Sequence, residues 1–558
     1  MARFFRTAIF TMFIACFFHA GNAFAAGGTC PSGANYLNST GQLASLASLG
    51  VTNCYYIAAD GSDSSSGTTE SSSWAHLPGM STCTGNCAGH TPAAGEGYIF
   101  RGGDTWNGSN LGVNWQWGGT SSNPIYIGVD QSWYSGSSWA RPIWTCGGTA
   151  CAGGGPFFSM NEKVGYNILD NIEMTGLNET TSSHPDYVDG YGTYNTFENI
   201  YTHGWVSTLT TNSASQMFGG VSGTGTVLRY NVMDGSDTGQ TTMYFTHSGI
   251  ATAYGNVMRY IVTGLDGCGD NWHDNLFEYM VNGQGHQDGL YQQTQCFKPN
   301  SLIYNNVIRH TTWPASGGAV KLWFNGNAPC PFGSAVNACV SYAFNNVVYD
   351  NYPGNVIDAG GHFGVNYGTW YIFNNTFDCG TDSTPGACGL GDNGNGQAQV
   401  PLHGTMALYL INNHWISTGT SSITGWGGLV GSCAYFTCSE MNGVYQTVAA
   451  ANAHGYTSTS TYAFEPTSGG GSTVNAGANE SSLCNAISGV DSAAGTACRN
   501  ATGYACAYNS MNHTVSCPTR TEVPRPTSAW DVGAYQFSTT QTSASAPEAP
   551  QGLAASVQ

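Results

Sequence analysis

Three polar side chains in the middle of the chain have the types and spacing of proton-transfer catalysts. His286 and Asp288 lie two residues apart in the segment NGQGHQDGLYQQ, and this spacing puts both on one face of a strand. Lys321 is one of three lysines in the chain and lies in the segment SGGAVKLWFNG. A histidine or a lysine so placed can act as a general base. We predict Lys321, His286 and Asp288 as catalytic residues, with corner-forming or solvated positions as the alternative.

Nearby residues could bind a metal ion and a substrate. Asp270 and Asp274 lie in the segment DGCGDNWHDN, and carboxylate oxygens are ligands that Ca²⁺ takes in proteins. We therefore predict Asp270 and Asp274 as metal ligands and Ca²⁺ as a cofactor, with a turn role as the alternative for Asp274. Aligning the segments by their glycines places Lys321 near Tyr291. The predicted substrate-binding residues carry aromatic or imidazole side chains: Tyr291, Trp323, His310 and His247.

The elements that position these residues belong to a charge-poor chain of 558 residues. Charged residues make up 8% of it, against roughly 25% in a typical soluble protein. The 77 glycines are about twice the usual share. With 13 lysines and arginines and a net charge of −19, the chain has no basic surface for nucleic acid. A neutral partner, or one bridged by cations, is favoured.

Residues 1–25 have the composition of a secretory signal peptide. Arg3 and Arg6 precede an apolar run, and the tripeptide AFA that ends at residue 25 has the pattern of a cleavage site. A membrane anchor is the alternative, but the run is short and contains His19 and Asn22. No other stretch is long and apolar enough to span a bilayer. We predict a secreted, extracellular protein, with the periplasm or the cell surface as alternatives.

The cysteines also indicate an oxidising compartment. Of 19 cysteines, Cys16 lies in the predicted signal peptide, so an even number remains. Metal-binding thiolates are the alternative, but no two CxxC pairs occur at zinc spacing. The order of the cysteines suggests local disulfides: Cys83 with Cys87, Cys146 with Cys151, Cys330 with Cys339, Cys379 with Cys388, and Cys433 with Cys438.

A short pattern with a central asparagine recurs through the chain. Apart from Thr196 and Glu173, the residues three positions before and two positions after these asparagines are apolar. The copies are separated by irregular steps, as in a solenoid whose loops vary in length. Where two asparagines are adjacent, we assign the second to the pattern. The nine marked residues are Asn171, Asn199, Asn231, Asn256, Asn275, Asn306, Asn346, Asn375 and Asn413.

A parallel β-helix accounts for these irregular steps. Short strands and glycine-rich turns, without a long amphipathic helix, indicate an all-β fold. Coils stacked about 4.8 Å apart would bring the asparagines into one column. Each inward amide could then bond to the coils above and below, as a buried polar group requires. A propeller or a sandwich would show steadier spacing. We therefore predict an asparagine ladder.

A second column tests the register of this stack. Three residues after the marked asparagines, successive coils carry Asp234, Arg259, Glu278 and Arg309. The charges alternate in sign, so each side chain would lie between opposite charges if the coils stack in register. This arrangement gives the two arginines a structural role.

Segments near both ends resemble a known superfamily. Residues 54–79 (CYYIAADGSDSSSGTTESSSWAHLPG) and the following segments GEGYIFRGGDTW and NPIYIGVDQSWYSGSSWARPIW resemble secreted right-handed parallel β-helix proteins of the pectate-lyase-like superfamily. DVGAYQF (531–537) looks like the closing strand of such proteins. The resemblance covers roughly residues 50–540 and implies a substrate groove along one outer sheet. The superfamily includes polysaccharide lyases, glycoside hydrolases, epimerases and binding proteins.

We therefore predict a polysaccharide-acting protein, first of all a lyase that cleaves an acidic polysaccharide by β-elimination. A glycoside hydrolase with paired carboxylates and a non-catalytic glycan-binding protein or cell-surface adhesin are the alternatives. The chain is expected to be a monomer without a membrane span. The predicted regions are a signal peptide (1–25), an N-terminal cap (26–100), β-helix coils with disulfide-rich corner loops (101–440), C-terminal coils and cap (441–540) and a flexible tail (541–558).

Overall fold

The fold is seen in a computed structural model of the chain. It describes residues 27–37, 42–108, 110–147, 156–179, 186–207, 215–221, 223–238, 243–249, 251–267, 271–280, 288–292, 300–311, 320–324, 340–350, 357–359, 368–378, 390–391, 406–417, 437–458, 462–517 and 522–538. The predicted signal peptide and tail lie outside these ranges. None of the helices within them is long and apolar enough to cross a membrane.

Three long sheets run along the chain, and their neighbouring strands are almost all parallel. Sheet 1 contains Gly28–Thr29, Asn53–Ile57, Glu96–Gly102, Ile125–Tyr134, Asn167–Asp170, Thr196–Glu198, Val227–Arg229, Thr252–Tyr254, Asn271–His273, Leu302–Tyr304, Val340–Phe344, Gly368–Phe373, Met406–Ile411 and Thr437–Met441. Sheet 2 contains Thr105–Asn107, Ile143–Thr145, Glu173–Thr175, Tyr201–His203, Val232–Asp234, Val257–Arg259, Leu276–Glu278, Val307–Arg309, Val347–Tyr349, Thr376–Asp378, His414–Ser417 and Val444–Thr447. Sheet 3 contains Val113–Trp115, Phe158–Met160, Val188–Asp189, Ser215–Gly219, Met243–Gly249, Thr263–Gly267, Asp288–Gln292, Val320–Phe324, Ile357–Ala359 and Leu390–Gly391.

The remaining described elements are small. Three two-stranded sheets pair Asn178–Glu179 with Val206–Ser207, Ala34–Leu37 with Leu43–Ser45, and Ala507–Asn509 with Thr514–Ser516. The helices are Leu46–Leu49, Glu70–Ser72, Gly85–Gly89, Val448–Ala453, Ser481–Val490 and Ser492–Cys498.

Each coil passes from sheet 1 through a short corner to sheet 2, then to sheet 3 and on to sheet 1 of the next coil. Apolar side chains from all three sheets fill one continuous interior core. The predicted right-handed parallel β-helix is therefore confirmed. In sheet 1 the parallel pairing already begins with Asn53–Ile57 and Glu96–Gly102. At the C-terminal side the coil strands end at Val444–Thr447.

Seven of the marked asparagines form one buried column at the corner between sheets 1 and 2. Each side-chain amide donates to the side-chain oxygen of the next asparagine, at 2.9 to 3.1 Å. The same oxygen also accepts the backbone N–H of the preceding asparagine, as between Asn306 and Asn346 at 3.0 Å. Every buried amide thus has partners in both neighbouring coils. The column runs through Asn231, Asn256, Asn275, Asn306, Asn346, Asn375 and Asn413.

The register predicted for Asn171 and Asn199 is wrong by one residue. Both adopt left-handed backbone conformations, with φ of 62° and 52°. This is the conformation of Asn305, the first member of an Asn-Asn pair, and asparagine adopts it more readily than most residues. The column position in the coil of Asn199 is Ile200, whose N–H donates to the side chain of Asn231 at 3.0 Å. The two asparagines of a pair therefore have different roles. The first adopts the left-handed conformation that turns the chain, and the second forms hydrogen bonds to the neighbouring coils.

The predicted column of alternating charges is confirmed on sheet 2. Asp234, Arg259, Glu278 and Arg309 are paired in register on four neighbouring strands. Arg259 Nε lies 3.7 Å from Asp234 Oδ2 and 3.5 Å from Glu278 Oε1. Arg309 Nη2 lies 2.8 Å from Glu278 Oε2. These charges stabilise the stack, so the two arginines are structural, as expected from the sequence.

A C-terminal arm, residues 477–537, folds back along the corner between sheets 1 and 2. Near one end of the stack, Arg141 Nη1 donates to the carbonyl of Asn512 at 2.8 Å. Near the other, the N–H of Gly533 donates to the carbonyl of Asn412 at 2.8 Å. The predicted closing strand at 531–537 is wrong, because these residues form no strand. They are held across the corner by contacts to successive coils.

Disulfides are present as expected from the cysteine content. The predicted pair Cys83–Cys87 is confirmed. Cys146 is disulfide-bonded, and its predicted partner Cys151 lies outside the described residues. The other three predicted pairs also involve cysteines whose side chains lie outside the described part. The bonds that the cysteine order did not predict are Cys30–Cys54, Cys484–Cys498 and Cys506–Cys517. The last two cross-link the C-terminal arm.

His203 on sheet 2 gives the fold a pH-dependent stability. Burial lowers its pKa, but hydrogen bonds to Asp237 (2.6 Å) and Glu173 (3.2 Å) outweigh this and raise it to about 9. A folded-state pKa above the unfolded value of about 6.5 means that the contribution is complete below pH ~6.5. The contribution is lost as the pH rises through the folded-state pKa of about 9.

We expect the stability advantage of the wild type over His203→Gln to shrink by on the order of 2 to 3 kcal/mol between pH ~6.5 and ~9. Urea unfolding of both proteins across this range measures the change. Parallel stability curves for the two proteins would show that the ion pairs do not shift this histidine.

Candidate functional site

Sheet 3 aligns several of the predicted site residues at one register position. Its core positions are in register, since Leu265 pairs with Leu290, Leu290 pairs with Leu322, and Leu265 and Leu290 are buried. In an ideal strand neighbours lie on opposite faces, which assigns the following position to the outer face, although Asp266 at that position is fully buried. We call this series of positions the outer line. It comprises Ser159, Asp189, Gly219, His247, Asp266, Tyr291, Trp323 and Asp358.

The outer line joins residues that are far apart in the sequence. Asp266 pairs with Tyr291, Tyr291 pairs with Trp323, and Trp323 pairs with Asp358. His247 directly follows Thr246, which pairs with Leu265, but the register shifts by one residue between Thr246 and Gly249, so His247 lies at a strand irregularity beside Asp266. Strand spacing of about 4.8 Å makes these five positions span roughly 19 Å. The structure thus places three predicted substrate-binding residues, His247, Tyr291 and Trp323, along one line.

The predicted catalytic residues are arranged differently from the prediction. His286 lies outside the described residues. Asp288 begins a sheet 3 strand and pairs with Val320. Lys321 therefore lines up with Gly289, two positions before Trp323, so the register predicted for Lys321 and Tyr291 is shifted by two residues. The glycine alignment fails because the number of residues between glycine and strand differs in the two segments.

In the preceding coils, the sheet 3 positions in register with Lys321 lie against the core. One coil back from Gly289 it contains Gly264, where a Cβ would collide with the ring of Phe277 in the core. One coil further back it contains Phe245, which is fully buried. Lys321 and the outer line thus occupy different register positions of sheet 3, two residues apart along the strand.

His310 and Asp274 lie at corners away from the outer line. His310 follows the sheet 2 strand Val307–Arg309, stacks on Tyr279 with 5.2 Å between ring centroids, and bonds to Asp350. Asp274 has a left-handed backbone (φ 54°), and its carboxylate bonds to His273 Nδ1 at 2.7 Å. The predicted substrate-binding role of His310 stays a prediction.

Asp274, a predicted Ca²⁺ ligand, keeps that role as a prediction. It lies at the corner between sheets 1 and 2, where the Sγ of Cys506 from the C-terminal arm is 3.5 Å from its carbonyl oxygen. Its predicted co-ligand Asp270 lies outside the described residues. Within the part of the chain that the structure describes, no three histidine, cysteine, aspartate or glutamate side chains are grouped closely enough to hold a metal ion. We therefore derive no chemical step from a cation at Asp274.

Asp189 on the outer line is a further candidate that the predicted catalytic set does not include. Burial raises its pKa to about 6, although a hydrogen bond from Ser159 opposes the shift. Its charge in turn raises the pKa of Tyr191, whose side chain is exposed. Gly220, with φ of +62°, leaves the space that the Asp189 carboxylate and the Tyr191 ring occupy. The sequence signal for this group is the segment PDYVDG, although it lacks the spacing of a known motif.

Spacing along the outer line limits the chemistry of its carboxylates. Asp189 and Asp266 are three strands apart, or roughly 14 Å along the stack. Asp266 and Asp358 are separated by the same number of strands. Glycoside hydrolases place their two carboxyl groups about 5 to 10 Å apart. Neither pair on the outer line therefore has the spacing for paired-carboxylate hydrolysis.

The sheets define a right-handed parallel β-helix protein. No protein-family model and no curated protein matches the chain. Among solved structures it is similar to the complex of XylC with xylose, at 10% identity and a TM-score of 0.41 over 70% of this chain and 83% of that one. It is also similar to pectate lyase Pel9A, at 14% identity and a TM-score of 0.41 over 87% of this chain and 96% of that one. The polysaccharide lyase Pedsa3628 from Pseudopedobacter saltans, of the PL6 family, is similar at 13% identity and a TM-score of 0.34 over 64% of this chain and 90% of that one.

Proposed function

We propose that the protein binds an acidic polysaccharide along the outer line of sheet 3 and cleaves it by β-elimination. The observation that carries this proposal is the register of Asp266, Tyr291, Trp323 and Asp358 on neighbouring strands, with His247 at the strand irregularity beside Asp266. An extended chain of sugars needs an extended surface, and aromatic residues are well suited to pack against sugar rings. The position of the two aromatic residues between flanking polar ones supports a binding face several sugar units long.

His247 is the proposed base. In β-elimination a base removes the proton on the carbon next to the carboxylate, a carbon–carbon double bond forms, and the glycosidic oxygen leaves and takes up a proton. A neutral imidazole is suited to the first step because its ordinary pKa lies close to neutral pH. Lys321 and His286 are the competing bases, and Asp288 is their predicted partner. The carboxylate spacing on the outer line supports elimination over hydrolysis.

The proposed location of the protein is extracellular. Four disulfides between described cysteines support an oxidising compartment. The predicted signal peptide at residues 1–25 agrees with this location. The same disulfides would be reduced in most cytosols.

An ultraviolet-absorbance assay tests the reaction, because β-elimination creates an unsaturated product and hydrolysis does not. The purified protein is incubated with pectate, alginate and glycosaminoglycans, first with Ca²⁺ and then with chelator, so that the predicted Ca²⁺ requirement is tested as well. We expect absorbance to rise on one substrate. General-base catalysis contributes about 10²- to 10⁴-fold, so His247→Ala should lower the rate by about that factor.

His454→Ala is the matched control, since it removes an exposed histidine that follows the helix Val448–Ala453 and lies outside sheet 3. We expect its rate to stay within about threefold of wild type. Loss of activity in Lys321→Ala or His286→Ala, but not in His247→Ala, would move the base to that residue. New reducing ends without ultraviolet absorbance would identify a hydrolase. Glycan binding without either product would identify an adhesin and overturn the proposed reaction.

A further inference from the structure

A second cleft lies on the outer face of sheet 1, on a different side of the β-helix from the outer line. Its volume is about 350 Å³, within the range of small-ligand sites. One wall is formed by Ser48 and Leu49 and another by the turn at residues 120–124. Tyr166 and Tyr194 form its floor. We propose that this cleft binds a neutral sugar unit of a glycan and anchors the protein to it without catalysis.

The two tyrosines form a rigid aromatic surface. Their rings stack with centroids 4.8 Å apart and planes within 6° of each other. The backbone holds them in register, because the N–H of Tyr166 donates to the carbonyl of Thr193, the residue before Tyr194, at 3.2 Å. A Cβ at Gly225 in the next coil would collide with the Tyr194 ring, so glycine is required there for the ring to lie against the stack. Tyr194 is nevertheless 46% exposed, and its accessible surface borders the cleft.

The walls of the cleft are also fixed in place. The side-chain amide of Asn123 donates to the carbonyl of Gly50 at 3.0 Å and thereby joins the two walls. The Cys30–Cys54 disulfide cross-links the N-terminal segment on either side of the first wall. A preformed site of this kind loses little conformational entropy when it binds a ligand.

The lining residues indicate the class of ligand. Hydroxyl groups surround the cleft, and none of its ten lining residues is charged. An acidic sugar would find no arginine or lysine to pair with its carboxylate. A neutral sugar could exchange hydrogen bonds with the hydroxyl groups while its apolar face packs against the exposed edges of the tyrosine rings. The hydroxyl-bearing lining residues are Ser48, Thr120, Ser121, Ser122, Tyr166, Tyr194 and Thr196.

Electrophoresis in native gels that contain soluble neutral polysaccharides tests this site in the full protein. The probes are xyloglucan, galactomannan and mixed-linkage β-glucan, with pectate as the acidic comparison. We expect at least one neutral polysaccharide to retard the wild type. Tyr194→Ala should weaken that binding about tenfold, the equivalent of ~1.4 kcal/mol, and Tyr194→Phe should retain it because the ring remains.

Tyr134→Ala is the matched control, since Tyr134 is a sheet 1 tyrosine with 39% exposure that does not line the cleft. Ser121→Trp provides an independent test, because it fills the cleft from an exposed position and leaves the tyrosines intact. Thermal unfolding checks that each variant is folded. The proposal is overturned if no neutral polysaccharide retards the protein, or if both Tyr194→Ala and Ser121→Trp bind like the wild type. Absorbance assays of these variants report separately on the proposed elimination.

Discussion

Asn306→Ala is expected to destabilise the protein by about 3 to 5 kcal/mol, because it leaves several buried polar groups without partners. The Asn306 side-chain oxygen accepts from both the N–H and the side-chain amide of Asn275, at 3.1 and 3.0 Å. Its own amide donates to Asn346 Oδ1 at 3.0 Å and to the carbonyl of Trp272 at 2.9 Å. Alanine replaces none of these bonds, and the column does not admit bulk water.

Asn305→Gly is the matched control for this prediction, because it changes the adjacent residue of the same type. Asn305 has a left-handed backbone with φ of 55°, which glycine adopts without strain. We expect a stability change within about 1 kcal/mol. Urea unfolding followed by circular dichroism measures both variants. Equal losses of stability at the two positions would contradict the different roles assigned to the two asparagines of the pair.

Glu278→Gln is expected to cost about 3 kcal/mol, since it removes the one negative charge between two arginines on sheet 2. Glu278 is buried and bonds to Arg309 Nη2 at 2.8 Å and Nε at 3.0 Å. Its other oxygen lies 3.5 Å from Arg259 Nε. The variant leaves two guanidinium groups partly desolvated with less compensating charge, and added salt screens such buried charges only weakly.

Asp350→Asn serves as the comparison for Glu278→Gln. Its carboxylate pairs with His310, but it is largely exposed, so we expect a change below about 0.5 kcal/mol that falls further with added salt. Denaturant midpoints at low and high salt distinguish the two sites. If Glu278→Gln lowered the free energy of unfolding as little as Asp350→Asn, the alternating charges would not contribute to the stability of the fold.

The parts of the fold that follow from the sequence are those that repeat at fixed local spacing. The seven asparagines and the four charges lie at the corner and strand where every coil has the same length, so their spacing survives the irregular loops. The register is assigned wrongly at Asn171 and Asn199 because asparagine is suited to both the turn position and the column position. Only the core residues around them, such as Leu169 and Phe197, reveal the shift.

The candidate site could be predicted less completely because loops of different length separate its strands. His247, Tyr291 and Trp323 were identifiable as polar or aromatic strand residues, but their common line depends on pairing that no local pattern shows. Lys321 illustrates the difficulty, since a nearby glycine gave a register two residues away from the observed one. The cleft at Tyr194 also combines segments that are distant in sequence, and its residues have no shared motif.

Because of the C-terminal arm, the folding of this protein depends on the order in which its segments are synthesised. In a solenoid each coil contacts mainly its neighbours, so coils can stack one after another as the chain emerges. The arm instead joins partners such as Arg141 and Asn512, which are separated by 371 residues. Its contacts cannot form until nearly the whole chain has been made. Until then the corner between sheets 1 and 2 is not covered by the arm. The arm can stabilise the early coils only in the last step of folding.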